Sequence, residues 1–340
     1  MLQASFKKLT LNFKQPSGTS RGILTQKDSW IISIWESENK NSIGTGEASI
    51  IKTLSSEWSD SFEKKVAEVC NNINYFVSKE GLNELRYFPS IHLAVETAIL
   101  DLKHGGKGLI FESDFTNNHA PIDINGLIWM GDKSFMESQI DAKLKDGFTC
   151  IKLKIGAIDF ETELQILKDI RTKYSAQDIE LRVDANGAFS PTEALQKLEQ
   201  LSKYDLHSIE QPIKAGQEIE MERLCQSTPL PIALDEELIG KYHFQDKKDL
   251  LNQITPQYII LKPSLIGGFS GTDEWISIAE SKNINWWITS ALESNIGLNA
   301  IAQYTFTKQN PLPQGLGTGG LFTNNTESNL MVENGQLKLG

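Results

Sequence analysis

The chain has 340 residues, 39% hydrophobic and 23% charged, with a net charge of −11. This is the composition of a soluble globular protein, and its acidic balance argues against a nucleic-acid or anionic-membrane partner. No window approaches the ~18 apolar residues of a membrane span, and the N-terminus has no apolar core of signal-peptide length. The three cysteines (Cys70, Cys150, Cys225) match no metal or redox spacing. The expectation is a cytoplasmic protein of undetermined oligomeric state.

Residues 1 to about 120 read as mixed α+β. "FKKLTLNF" and "SWIISIWE" alternate as strands, with "KQPSGTSRG" between them as a polar loop. "SEWSDSFEKKVAEVCNNINYFV" and "SIHLAVETAILDLKHG" carry helical spacing, the second with Ser90 as its cap and Gly105 as its stop. Pro121 marks a boundary in "NNHAPIDING". Beyond it strands and helices alternate: "INGLIWMG", "CIKLKIG", "IELRVDANG", "LHSIEQPI", "PIALDEEL", "QYIILKPSL", "NWWITSALE" and, less regularly, "PQGLGTGGLF". Seven βα units and a last strand predict an α/β fold, a (β/α)7β TIM-like barrel over 121–322 behind an α+β domain over 1–120. A doubly wound open sheet is the rival.

The polar residues that end the apolar strands are Lys154, Asp184, Glu210, Asp235, Lys262 and Ser290, at gaps of 30, 26, 25, 27 and 28. In a barrel those C-terminal ends share one face, where active sites sit. Three carboxylates on consecutive ends repel unless a cation lies between them. Hard oxygen donors without His or Cys select Mg²⁺ or Mn²⁺, although any one of these acids alone reads more readily as a solvated loop charge. Lys152 and Lys154 point to one strand face, a unit before the acids, and Lys262 lies a unit after them. A partly desolvated lysine among cations has its pKa lowered and can act as a base; the plainer alternative is that the lysines only neutralise the acids. Base, metal and opposed cation suggest proton abstraction α to a small-molecule carboxylate, with an enediolate stabilised by charge.

"KLK", "VDANG", "IEQP", "LDEE" and "LKPSLIGG", in this order and spacing, resemble the enolase superfamily, muconate-lactonising-enzyme subgroup. "SALESNIGLNAIAQ" and "GLGTGGLF" extend the resemblance to the subgroup's dehydrating members in menaquinone biosynthesis. It covers essentially the whole chain. It implies that residues 1–120 cap the barrel, joined by 323–340. It further implies Asp184, Glu210 and Asp235 as Mg²⁺ ligands, with Mn²⁺ a possible substitute, and Lys154 as the base. Lys152 would hold the substrate carboxylate and depress the pKa of Lys154, while Lys262 would stabilise the enolate from the other side. The reaction implied is a lyase's loss of water from 2-succinyl-6-hydroxy-2,4-cyclohexadiene-1-carboxylate.

Substrate contacts are expected from Asn186, which shares the strand face of Asp184, and from Ser290. "QPSGTSRG" resembles the family's loop over the barrel mouth, so Thr19, Ser20 and above all Arg21 would meet the substrate from above; an ordinary hairpin connection is the alternative. Gly317 and Thr318 at the eighth strand end would bring backbone N–H groups to a carboxylate, or form only a structural turn. No acid lies between Pro313 and Phe322, which counts against the dipeptide epimerases of the subgroup. An N-acylamino acid racemase remains an alternative, because Lys154 and Lys262 would also serve a two-base reaction. A non-catalytic barrel is the third.

Overall fold

The computed structural model describes residues 1–19 and 22–340, residues 18 and 19 by their backbone. Strands β1 (Leu2–Thr19), β2 (Gly22–Glu36) and β3 (Asn39–Ser49) form an antiparallel sheet in that order. Alternation in β2 buries Trp30, Ile32 and Ile34 on one face, which packs against the helices Phe62–Asn71 and Pro89–Lys103. Two glycines let the second helix lie flat on β3. A Cβ at Gly44 or Gly46 would come within 1.9 or 2.0 Å of the Ala98 and Ala94 carbonyl oxygens.

Two local expectations are corrected here. Residues 14–19 are not a loop: they continue β1, and after a register slip past Asn12, Ser17 pairs with Leu24 and Thr19 with Gly22. Ser90 is not a cap either. The helix begins one residue earlier at Pro89, whose missing N–H suits a first turn, and the Ser90 N–H donates instead to Glu57 Oε1 at 2.8 Å.

After the short β4 (Ile122–Asp123), seven parallel strands form one sheet: β5 (Gly126–Ile128), β6 (Cys150–Lys154), β7 (Glu180–Asp184), β8 (Ser208–Glu210), β9 (Ile232–Leu234), β10 (Tyr258–Leu261) and β11 (Asn285–Ile288). Each is followed by a helix, from Lys133–Lys145 after β5 to Asn295–Thr307 after β11. All seven lie within the predicted strands. The eighth expected strand is reduced to two bridges. Gln314 pairs with Ile124 on one edge and Gly315 with Thr289 on the other, so the sheet curls until its edges share this segment. Pro313 and four glycines between 315 and 320 leave few side chains and donors to extend a ladder.

The outer face of the curled sheet packs on its helices in one large apolar core. Residues 322–324 lie along β1, where the Thr323 N–H donates to the Asn12 carbonyl. Strands β12 (Leu330–Glu333) and β13 (Gln336–Leu339) form a hairpin that pairs with β4. No helix among the described residues is long and apolar enough to cross a membrane.

Candidate active site

The inward face of the curled sheet is polar where the strands end. On β6, Lys152 and Lys154 are 5% and 9% exposed. Register places Lys154 beside Asp184, and Asp184 beside Glu210. The acids and lysines pair directly. Lys154 Nζ donates to Asp184 Oδ2 at 2.8 Å and to Asn186 Oδ1 at 2.7 Å. Lys152 Nζ donates to Glu210 Oε2 at 2.5 Å and stands 3.5 Å from Asp184. Lys262 Nζ donates to Asp235 Oδ2 and lies 3.6 Å from Glu210 Oε1.

The electrostatics follow from that pairing. Burial pushes the Asp184 carboxyl upward, but Lys154, Lys152 and Lys262 outweigh it and hold it well below the usual carboxylate range. Burial pulls Lys152 down, yet Glu210 and Asp184 raise it above its ordinary value. Lys262 is likewise raised, burial again being overcome, chiefly by Asp235 and Glu210. For these two lysines the acids, not the other cations, set the direction.

Among the described residues, no group of three or more His, Cys, Asp or Glu is set to close on a metal ion as it stands; each acid is turned to a lysine. The donor chemistry nevertheless fits a hard divalent cation. Three carboxylates stand on neighbouring strand ends, with no thiol or imidazole among them, and Glu210 Oε1 is buried without a hydrogen bond.

Above this cluster lies a cavity of about 200 Å³. Lys152, Lys154, Asp184, Asn186 and Lys262 line its floor, and Ser290, Gly317 and Thr318 one side. Ser290 Oγ and Thr318 Oγ1 are hydrogen-bonded to each other at 2.6 Å, which ties the β11 end to the Gly-rich turn. Gly22, Ile23 and Leu24 of β2, with Ile51, Thr53 and Leu54, form the roof. Ser20 and Arg21 lie outside the described residues, as does the Thr19 side chain. Glu210 and Asp235 sit behind the lysines and do not line this cavity.

Sequence reasoning missed Gln211, the residue after Glu210. It is fully buried, and its Oε1 accepts from the Asp235 N–H at 3.1 Å and the Glu237 N–H at 3.3 Å. One side chain thereby fixes the β8 end to the β9 end. Both Asn186 and Gln211 have left-handed backbones, φ +45° and +41°, a strain that clusters at functional sites. The "Q" of "IEQP" was the available signal; the positive φ has none in sequence. Also missed were Leu127 and Trp129, which give the cavity its apolar wall, and Arg182. The Arg182 guanidinium lies inside the curled sheet, 4.2 Å from the Trp287 ring centre, bonded to Glu180 and the Pro313 carbonyl.

Comparison with known proteins agrees with this geometry. Residues 136–340 match the family model described as enolase C-terminal domain-like, and the chain belongs to that family. Over 99% of its length it is 45% identical to the o-succinylbenzoate synthase of Desulfotalea psychrophila, covering 98% of that protein. The crystal structure of MenC from the same organism superposes with a TM-score of 0.87 at 42% identity, over 99% of each chain. A dipeptide epimerase from Enterococcus faecalis, solved with Mg and the dipeptide L-Leu-L-Tyr, shares the fold at 21% identity, with a TM-score of 0.85 over 99% of this chain and 96% of that one.

Proposed function

We propose that the chain is an o-succinylbenzoate synthase, a hydro-lyase of menaquinone biosynthesis that uses Mg²⁺, or Mn²⁺ in its place. The observation that carries the reading is the near-full-length identity to the Desulfotalea enzyme, joined to a cavity floored by lysines from opposite sides of an acid cluster. We read the curled sheet and its Gln314–Gly315 segment as a (β/α)7β barrel over 121–322. Residues 1–120 are taken as its cap, and 323–340 as a return strap to it.

Asp184, Glu210 and Asp235 would hold the cation. With these carboxylates committed to it, the lysines would be free to face the cavity, and the cation would supply positive charge next to a bound carboxylate. Lys152, deepest on the floor, holds the substrate carboxylate. Lys154 Nζ takes the proton from the ring carbon that bears the carboxylate. The C–H electron pair passes into the bond to the carboxylate carbon as an enediolate, then returns to form the ring double bond as the C–O bond to the neighbouring hydroxyl breaks. The proton on Lys154 leaves with that hydroxide as water, from the same face. Lys262 faces the other side of the ring and stabilises the negative charge. Asn186, which already holds the Lys154 ammonium, keeps it aimed. Ser290, Gly317 and Thr318, which line the cavity, are assigned to the succinyl arm, and Arg21 is kept as a further substrate contact. The roof excludes water from the enediolate.

The test is an assay of the purified protein on the cyclohexadiene carboxylate and on an N-succinylamino acid, with and without Mg²⁺. Mg²⁺-dependent dehydration is expected. Racemisation of the amino acid without dehydration would overturn the reading.

A further inference from the structure

A second buried charge cluster lies between the N-terminal sheet and the cavity wall. Glu293 is fully buried just beyond β11. Its Oε2 accepts the Ala291 N–H at 2.7 Å and its Oε1 accepts the Ser264 hydroxyl at 2.5 Å. The first bond spans Leu292, whose φ of +63° is left-handed. Such a conformation in a residue other than glycine is strained and persists only where its surroundings over-determine it. Ser290, Ala291 and Leu292 all line the cavity, and Ser264 stands two residues after Lys262. One carboxylate therefore clamps two walls of the cavity together.

The N-terminal sheet supplies the charges around it. Glu47 of β3 accepts the Ser294 and Gly297 N–H groups at 2.9 and 3.0 Å, at the start of the helix Asn295–Thr307. Lys27 of β2, 6% exposed, donates to the Ser29 and Ser49 hydroxyls, and Ser29 in turn donates to Glu47 at 2.6 Å. Burial pushes the Glu293 carboxyl up, and Lys27 is the largest influence drawing it back.

We propose that Glu293 is a positioning residue: its carboxylate locks the Ser290–Leu292 loop to the Lys262–Ser264 turn, and Lys27 of the N-terminal sheet, through Ser29 and Glu47, anchors the helix start that follows it. The N-terminal sheet and the reactive floor then act as one unit. The inference rests on the lyase reading only for its readout.

The test uses the full chain with Mg²⁺ and the variants Ser264→Ala, Glu293→Gln, Lys27→Met and Lys27→Met with Glu293→Gln. Measured are kcat, KM, Mg²⁺ affinity and thermal unfolding. Ser264→Ala and Glu293→Gln are expected to lower kcat by roughly 10- to 100-fold with little change in KM or Mg²⁺ affinity. The double variant is expected to be no slower than the slower single variant, because the two groups act together. A kcat within about twofold of wild type in both Ser264→Ala and Glu293→Gln, or simple additivity in the double variant, overturns the proposal. If Lys27→Met does not fold, the first two variants decide alone. Turnover of the wild-type protein tests the lyase reading separately, since the variant-to-wild-type ratio can be read on whichever substrate it accepts.

Discussion

At the strand ends, three carboxylates meet three ammoniums directly, and Glu210 still keeps one oxygen without a hydrogen bond. Between β2 and residue 294, two carboxylates face one ammonium, and hydroxyls and backbone N–H groups satisfy them instead. The first arrangement depends on side chains that can be re-partnered when a cation or substrate arrives. The second is bonded into the backbone, and removing one member leaves buried groups unpaired. Burial of charge is common to both; the identity of the partners separates them.

Lys154→Ala breaks this contrast most severely. If the strand-end pairs are exchangeable chemistry, kcat is expected to fall by roughly 10²–10⁴-fold, while isothermal titration still shows Mg²⁺ binding; activity near wild type removes Lys154 from the base role. Next is Asp235→Asn, which keeps the shape and removes the charge. Mg²⁺ affinity is expected to drop by roughly 10- to 100-fold, and an unchanged titration takes Asp235 out of the ligand set.

Gln211→Leu probes the fixed kind of contact within the site itself. It strips the acceptor from two backbone N–H groups and is expected to lower stability by roughly 2–4 kcal/mol, read from denaturant unfolding. A wild-type midpoint would show that water replaces the amide without loss. The smallest effect concerns Glu57, a buried carboxyl of the N-terminal region that burial pushes up to about 8 against its Ser90 hydrogen bond. Being raised, it contributes stability that is full below its ordinary value of 4.5 and lost as pH climbs through 8. Glu57→Gln keeps an acceptor and removes the titration. Wild type is expected to lose roughly 1–3 kcal/mol relative to this variant between about pH 5 and about pH 8.5. Parallel pH profiles would remove Glu57 as the cause.

Much of the strand-end cluster was legible because it is periodic. Each βα unit repeats a local pattern, an apolar run closed by a charge, and the near-constant spacing carries Lys154, Asp184, Glu210, Asp235 and Lys262 to one rim. The loop expected over 14–22 failed at 14–19, where a long hairpin overrode its Gly/Pro/Ser content, and Ser90 lost its capping role to a Pro one residue earlier. The eighth strand was legible only in outline, since two bridges carry almost no side-chain pattern.

By itself, then, the sequence determined which side chains reach the reactive face, since alternation within a strand and repetition between units are local properties of the chain. The tertiary structure alone decided which partner each of them takes. Ser290 with Thr318, Gln211 with the Asp235 N–H, and Glu293 with Ser264 are pairings between separate segments. Those pairings, and the left-handed backbones at Asn186, Gln211 and Leu292, depend on how the segments pack, and no short stretch of sequence encodes that.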